Sequence, residues 1–287
     1  MKSANLSFYK NDVIEDTAHL FSSLTNTLLI QDQKDFILHL LYDEACPSIL
    51  NIQIVNSTVT ILEEVKGELN QIQTHIDIDE TSSLSRIGLN IELNASIRWL
   101  RKVDNKGFYQ NIQLDLSNNS IDNEENIHLL HEDSKSQVIT ALYAQNKNKK
   151  LYQTNFIHQS KITKSDCKIF GVCNDFAQMT IATDAYIMNG ARDTKAIQEG
   201  RIINLTKDCK GIILPELHID ENEVEAAHSC SVGSVNEDHL YYLQTRGFSQ
   251  EEGKNLLIKS YFTPIFKFIE DESLKEKLQL AIQKRIG

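Results

Sequence analysis

The chain has 287 residues, 41% of them hydrophobic and 24% charged, with a formal net charge of −11. That length can bury a substantial core in one domain or two, and that composition is globular rather than disordered. The acidic balance argues against an extended nucleic-acid footprint, which needs a basic face.

No apolar run approaches the ~18 residues of a membrane-spanning helix. Met1–Asp12 has no apolar stretch of signal-peptide type, so a cytoplasmic protein with no membrane association is expected. Five cysteines, Cys46, Cys167, Cys173, Cys209 and Cys230, are odd in number and follow no CxxC spacing. They are expected as reduced thiols, with Cys167, Cys173 and Cys209 lining a core.

Residues 1–45 read as a short N-terminal segment, partly helical. "DVIEDTAHLFSSL" (13–25) fits a helix, and "DFILHLLYDE" (35–44) fits either period. From 46 to 235 the apolar residues alternate. Ile52 and Ile54, Val59 and Ile61, Ile76 and Ile78, Ile87 to Leu93, and Ile112 to Leu116 follow the two-residue period of strands. Asn/Asp/Ser/Gly clusters such as "LSNNSIDNEEN" and "AQNKNKK" supply turns between them. Many short strands predict a mainly β body: a solenoid, a sandwich or a barrel. The strand blocks lack the longer hairpin spacing of sandwiches, which favours a solenoid, although no clean repeat is visible.

Residues 236–287 read as a C-terminal helical domain. Asn236 can cap "EDHLYYLQTR", and Gly247 can end that helix. Ser249 and Glu252 form a capping-box pattern, and Pro264 should end or kink the second helix. Leu274, Leu278 and Ile282 make one apolar stripe on a third.

The candidate chemistry is sparse. His228 and Cys230 stand two apart, on one side of a strand, among alanines and serines. One His and one Cys cannot complete a metal site, so further ligands would have to come from elsewhere. His128 and His131 would begin a metal site only on a helix, and their polar surroundings fit a solvated loop. Asp77/Asp79 and Glu63/Glu64 are the acid pairs that a glycosidase would use, but acids at this density usually form a solvated face. No phosphate loop and no dinucleotide fingerprint occurs, so the chain is not expected to bind nucleotide itself.

The stretch "LPELHIDENEVEAAHSCSVGSVNEDHLYYLQTRGFSQEEG" resembles the C-terminal signature of the SufB/SufD family of iron–sulfur cluster assembly proteins. Pro215, Glu216, Leu217 and Ile219 match its first block, Val232 and Gly233 its second. Leu240, Tyr242, Leu243, Arg246 and Gly247 match its third, and "FGVCNDFAQMTIATDAY" resembles the family's last solenoid turns. Ser229, where SufB-type chains carry glutamate, leans toward SufD. Ala226, where SufD members often carry cysteine, and the reduced N-terminus are departures from the pattern.

The resemblance implies a right-handed parallel β-helix with a small C-terminal helical domain, and a non-enzymatic scaffold role with no catalytic residues. It implies His228, with Cys230 as the weaker candidate, as a ligand to iron or to a transient iron–sulfur cluster at a subunit interface. The implied partners are a SufC-type ABC ATPase on the helical tail, at Leu240, Tyr242, Leu243, Arg246 and Gly247, and a SufB-type sister or a second copy on the last strands. The alternative is a β-solenoid carbohydrate-active enzyme. It fits poorly with a chain whose only tryptophan is Trp99. A purely structural β-solenoid is a third reading.

Overall fold

A computed structural model describes residues 2–7, 20–42, 46–65, 68–91, 93, 95–235, 237–269 and 271–286. The strands run β1 (Lys2–Ser7), β2 (Phe21–Ser22), β3 (Thr27–Gln31), β4 (Phe36–Tyr42), β5 (Leu50–Val55) and β6 (Thr58–Val65). They continue as β7 (Gln71–Ile78), β8 (Ser83–Asn90), β9 (Ile97–Asn105), β10 (Phe108–Asp115), β11 (Ile121–Leu129) and β12 (Lys135–Ala144). The last six are β13 (Lys149–His158), β14 (Lys164–Cys173), β15 (Gln178–Ile187), β16 (Thr194–Asn204), β17 (Lys210–Ile219) and β18 (Val224–Ser234).

From β3 onward, successive strands alternate between two sheets. Sheet A has the order β1-β4-β6-β8-β10-β12-β14-β16-β18, and sheet B runs from β2 and β3 through the odd-numbered strands to β17. All neighbours are parallel except the antiparallel β2/β3 pair at the start. Two strands therefore make one turn of a parallel β-solenoid. Phe36 pairs with Val59, but Lys164 pairs with Lys195, so the turns lengthen along the chain. This drift explains why no fixed-period repeat is visible in the sequence.

The corners use residues that tolerate left-handed backbone. Asn26, Asp32, Asp35, Asn56, Asp133, Asn146, Asp175 and Asp193 all have positive φ. Corner side chains also tie successive turns together. Asn56 donates its backbone N–H to Asp79 at 2.9 Å and its amide to Asp32 at 2.7 Å.

The solenoid starts earlier than the sequence suggested. Phe36, Leu38, Leu40 and Tyr42 are buried in alternation, so "DFILHLLYDE" contributes a strand, and β2 and β3 also precede residue 46. The helix expected over 13–25 lies mostly outside the described residues. Its described end, 20–25, is turn and the short strand β2.

The core has two parts. Inside the solenoid lie Leu38, Ile52, Ile76, Val103, Ile127, Phe156, Met179 and their neighbours. A second cluster covers the outside of sheet A, where Ile87, Leu89, Ile112, Leu114 and Ile139 meet the helical tail. The tail comprises α1 (Glu237–Thr245), α2 (Gln250–Phe262), a 3-10 turn (Thr263–Phe268) and α3 (Glu272–Ile286).

The Ser249/Glu252 capping box is present in both directions. Gly247, at φ +94, takes the left-handed conformation that follows a helix end. Pro264 opens the 3-10 turn just after α2 ends. The Asn236 cap lies outside the described residues. Leu274, Leu278 and Ile282 press onto sheet A as the stripe suggested, and Arg285 Nε donates to the Leu116 carbonyl at 2.9 Å. No helix among the described residues is long and apolar enough to cross a membrane.

The solenoid interior is not uniformly apolar. Glu63, Arg86, Arg101 and Glu125 are buried together. Arg86 pairs with Glu63 at 2.5 Å, and Arg101 reaches Glu63 at 3.3 Å and Glu125 at 3.8 Å. Tyr109 and Asn111 donate to Glu125 at 2.6 and 2.7 Å. Both guanidinium groups lie over the Trp99 ring, at 5.8 and 5.2 Å. Gly88 makes room for this cluster, since a Cβ there would stand 2.3 Å from Gln113 Oε1 and 3.0 Å from Arg86 Nη2. A second buried pair joins Lys150 to Asp115 at 2.9 Å, and Tyr152 also donates to that carboxylate. Two positive and two negative groups balance in the first cluster, and one of each in the second. That balance and the added hydrogen bonds are what make burial of such groups tolerable.

Candidate functional site at the open end of the solenoid

The last turn, β17 and β18, ends both sheets. Among the described residues no strand pairs beyond either of them. Each therefore presents a row of unpaired backbone donors and acceptors. Leu214 and Ile219 on β17 and Val232 on β18 are large apolar side chains left exposed there.

His228 and Cys230 sit on β18. Gln198 pairs with His228, and Gly200 with Cys230, one strand inward on β16. On β16 Thr194, Ala196, Gln198, Gly200 and Ile202 are buried facing the interior, while Ile203 is buried on the other side against the helical tail. By register, His228 and Cys230 share that inward side, as alternation along the strand required. His228 is exposed because nothing stacks on it from beyond, while Cys230 is half-buried. A Cβ at Gly200 would come within 2.3 Å of Ile213 Cδ1, so the glycine makes room for that side chain, while Cys230 Sγ lies at an ordinary contact distance of 3.4 Å from the same point. Burial, then the nearby Glu199 charge, pushes the Cys230 thiol up, which keeps it protonated at neutral pH.

Beneath His228 the row continues through Gln198 to Cys167. Gln198 is 1% exposed and donates to the Glu216 carbonyl at 3.3 Å, while its Oε1 has no hydrogen-bond partner. Cys167 is sealed below it, and burial pushes its thiol up to about 12. Cys173 and Cys209 are buried as well, as expected of core cysteines. No thiol besides Cys230 shares the exposed end with His228 among the described residues.

The helical tail places the remaining sequence-derived residues. Leu240 is buried, and Leu243 packs near Gly253. Tyr242 is exposed with the Arg246 guanidinium 5.2 Å above its ring. Tyr241 on α1, Phe248 in the turn after it and Leu256 on α2 add exposed apolar surface. The motif therefore divides into packing residues, Leu240 and Leu243, and surface residues, Tyr242 and Arg246, with Gly247 as the turn between helices.

The other acid and histidine pairs do not assemble as pairs. Glu63 is buried with arginines, whereas Glu64 lies outside and meets Lys277. Asp79 is used up in a corner, accepting from Asn56 and Thr81. His128 lies on β11 and His131 in the turn after it, not on one helix face.

Comparison with known proteins places these features. The profile described as "SUF system FeS cluster assembly, SufBD core domain" matches residues 45–261, most of the chain. The iron–sulfur cluster assembly protein SufD of Bacillus subtilis is 33% identical over 135 residues, 47% of this chain and 31% of that protein. SufD of Escherichia coli is 23% identical over 139 residues, 48% of this chain and 30% of its own length. An iron–sulfur cluster assembly SufBD family protein of Pyrococcus horikoshii is 28% identical over 108 residues, 37% of this chain and 24% of that protein. The matched stretches thus span about a third or less of these relatives. With a solenoid, a helical tail and a core-domain match over most of its length, the chain belongs to the SufBD family of iron–sulfur cluster assembly proteins and is SufD-like.

Proposed function

We propose that this chain is a non-enzymatic scaffold subunit of a cytoplasmic SufBCD-type assembly complex. Its last strands join a SufB-type sister, or a second copy where no sister is present. Its helical tail docks a SufC-type ATPase. His228 supplies one ligand to iron or to a transient cluster held between subunits.

The observation that carries this reading is the uncovered last turn, with His228 on the inward side of its edge strand. A single imidazole cannot hold an iron–sulfur centre, whose ligands are chiefly thiolates. Completion by another chain at an open sheet edge is the physical solution, because that edge also offers the backbone pairing to align the two subunits. Tyr242, Arg246 and their exposed aromatic neighbours fit a partner surface, because Tyr and Arg are the residue types that dominate binding energy at interfaces.

The test is cluster assembly on the reconstituted complex. His228→Ala removes an exposed side chain, so stability should change by less than ~0.5 kcal/mol and the complex should still form. Cluster formation should fall sharply, and Cys230→Ser should have the smaller effect because that thiol is half-buried whereas His228 is exposed. Wild-type cluster yield from His228→Ala would remove His228 from the site.

A further inference from the structure

Far from the open end, on the outside of sheet B, two adjacent strands place four charged or ligating side chains in a square. His75 and Asp77 occupy alternate outward positions of β7. Lys102 and Asp104 do so on β9, with His75 opposite Lys102 and Asp77 opposite Asp104. Two carboxylates facing each other across a strand pair repel, and sheets usually avoid that arrangement. Here it is kept, and a cation already sits in it. The Lys102 ammonium lies 2.6 Å from Asp104 Oδ2 and 3.5 Å from His75 Nε2.

The three ligating atoms are close enough for a single ion. His75 Nε2 is 2.8 Å from Asp104 Oδ2 and 4.0 Å from Asp77 Oδ1, and all three lie within 4.8 Å of one another. Donors around one ion at about 2.1 Å lie roughly 3.0–3.5 Å apart, which these spacings bracket. Small side-chain rotations on a fixed sheet would complete the set. We propose that His75, Asp77 and Asp104 bind one divalent first-row transition-metal ion on the outside of the solenoid, displacing the Lys102 ammonium.

The chemistry favours such an ion over the lysine. Two carboxylates neutralise a charge of +2, and the imidazole adds a donor that ammonium cannot use as a ligand. Magnesium prefers an all-oxygen octahedron, so the imidazole also selects against it. The Lys102 side chain is 49% exposed on a flexible stem and is free to swing into water. His75 and Lys102 line a shallow cleft of about 510 Å³, so the ion has an open approach. Coordination through Nε2 uses the His75 tautomer that carries its proton on Nδ1. The site lies roughly 20 Å from edge strand β17, four to five strand spacings of about 4.8 Å. It is therefore independent of the role proposed for His228.

Manganese titration of the full chain, followed by electron paramagnetic resonance, tests this, because Mn²⁺ avoids the five thiols. One ion per chain should bind, displaced by Zn²⁺ and not by an equal concentration of Mg²⁺. His75→Ala and Asp104→Asn should each weaken binding by about tenfold or more. Lys102→Met should tighten it severalfold, a gain that no ordinary salt-bridge role for this cluster produces. His228→Ala should leave it unchanged. Absence of binding in both wild type and Lys102→Met would overturn the proposal, as would binding that survives Asp104→Asn or that Mg²⁺ displaces equally.

Discussion

Replacing Glu63 by alanine is expected to destabilise the fold by about 3–5 kcal/mol, because it leaves two buried guanidinium groups short of their shared counter-ion. Arg86 and Arg101 both meet this one carboxylate, and neither side chain reaches water. Glu125 remains, but its nearest Arg101 contact is 3.8 Å, too long to take over both charges. The neighbouring Glu64 is the internal control. It lies on the opposite face and pairs with Lys277 near the surface, so Glu64→Ala should cost less than ~1 kcal/mol. Urea denaturation of the two variants measures the contrast. Equal and small losses would mean that the interior cluster does not hold the solenoid together.

The same cluster has a pH signature. Burial pushes the Glu63 carboxyl up, but Arg86 and Arg101 outweigh it and hold the group below its usual range. Its contribution is thus complete above the unfolded carboxylate value of about 4.3 and is lost as pH falls through the folded one.

A second acid effect is expected from His158. The ring is fully buried, with Nδ1 2.8 Å from Thr163 Oγ1 and Nε2 2.9 Å from Ser165 Oγ. Burial alone pushes its pKa down to about 4. The unfolded chain takes up a proton near pH 6.5, while the folded chain resists until near 4. Between those values the unfolded state binds more protons, so stability falls as pH falls. The loss integrates to roughly 3 kcal/mol between pH 7 and pH 4. His158→Gln keeps a donor and an acceptor without the titration. Denaturation at both pH values should show a drop in the variant smaller by that amount. An unchanged drop would place the acid sensitivity elsewhere.

The architecture was readable because period-two alternation and helix-end signals are local. Ser249 with Glu252, Gly247, and the Leu274–Leu278–Ile282 stripe each landed where the sequence put them. Which side of a strand faces which core was not local. Ile87, Leu89, Ile112 and Leu114 alternate as strand residues should, yet they face the helical tail and not the solenoid interior. Their alternate neighbours Arg86, Gly88, Asn111 and Gln113 turn toward the interior instead, where Arg86 meets Glu63, Asn111 and Gln113. Alternation gives two faces but cannot say which of them is inside. Glu63 consequently read as part of a solvated acidic run, when its partners lie 23 and 38 residues away in sequence.

The candidate site divides in the same way. The shared side of His228 and Cys230 follows from their spacing. Their seats beside Gln198 and Gly200 follow from a register some 30 residues long, which no local pattern encodes. The His75, Asp77 and Asp104 cluster is half visible in the sequence, where Asp77 stands beside Asp79. Its true neighbours, Lys102 and Asp104, become adjacent only once β7 and β9 pair.

The most direct measurement of the central claim is backbone hydrogen exchange along the chain, alone and after co-expression with SufB-type and SufC-type subunits. The unpaired edges of β17 and β18 should exchange quickly in the isolated chain if no second copy occupies them. They should become protected over residues 212–234 in the complex, together with the surface around Tyr242 and Arg246. Protection confined to the helical tail, or no stable complex at all, would contradict an open solenoid end built to receive another chain.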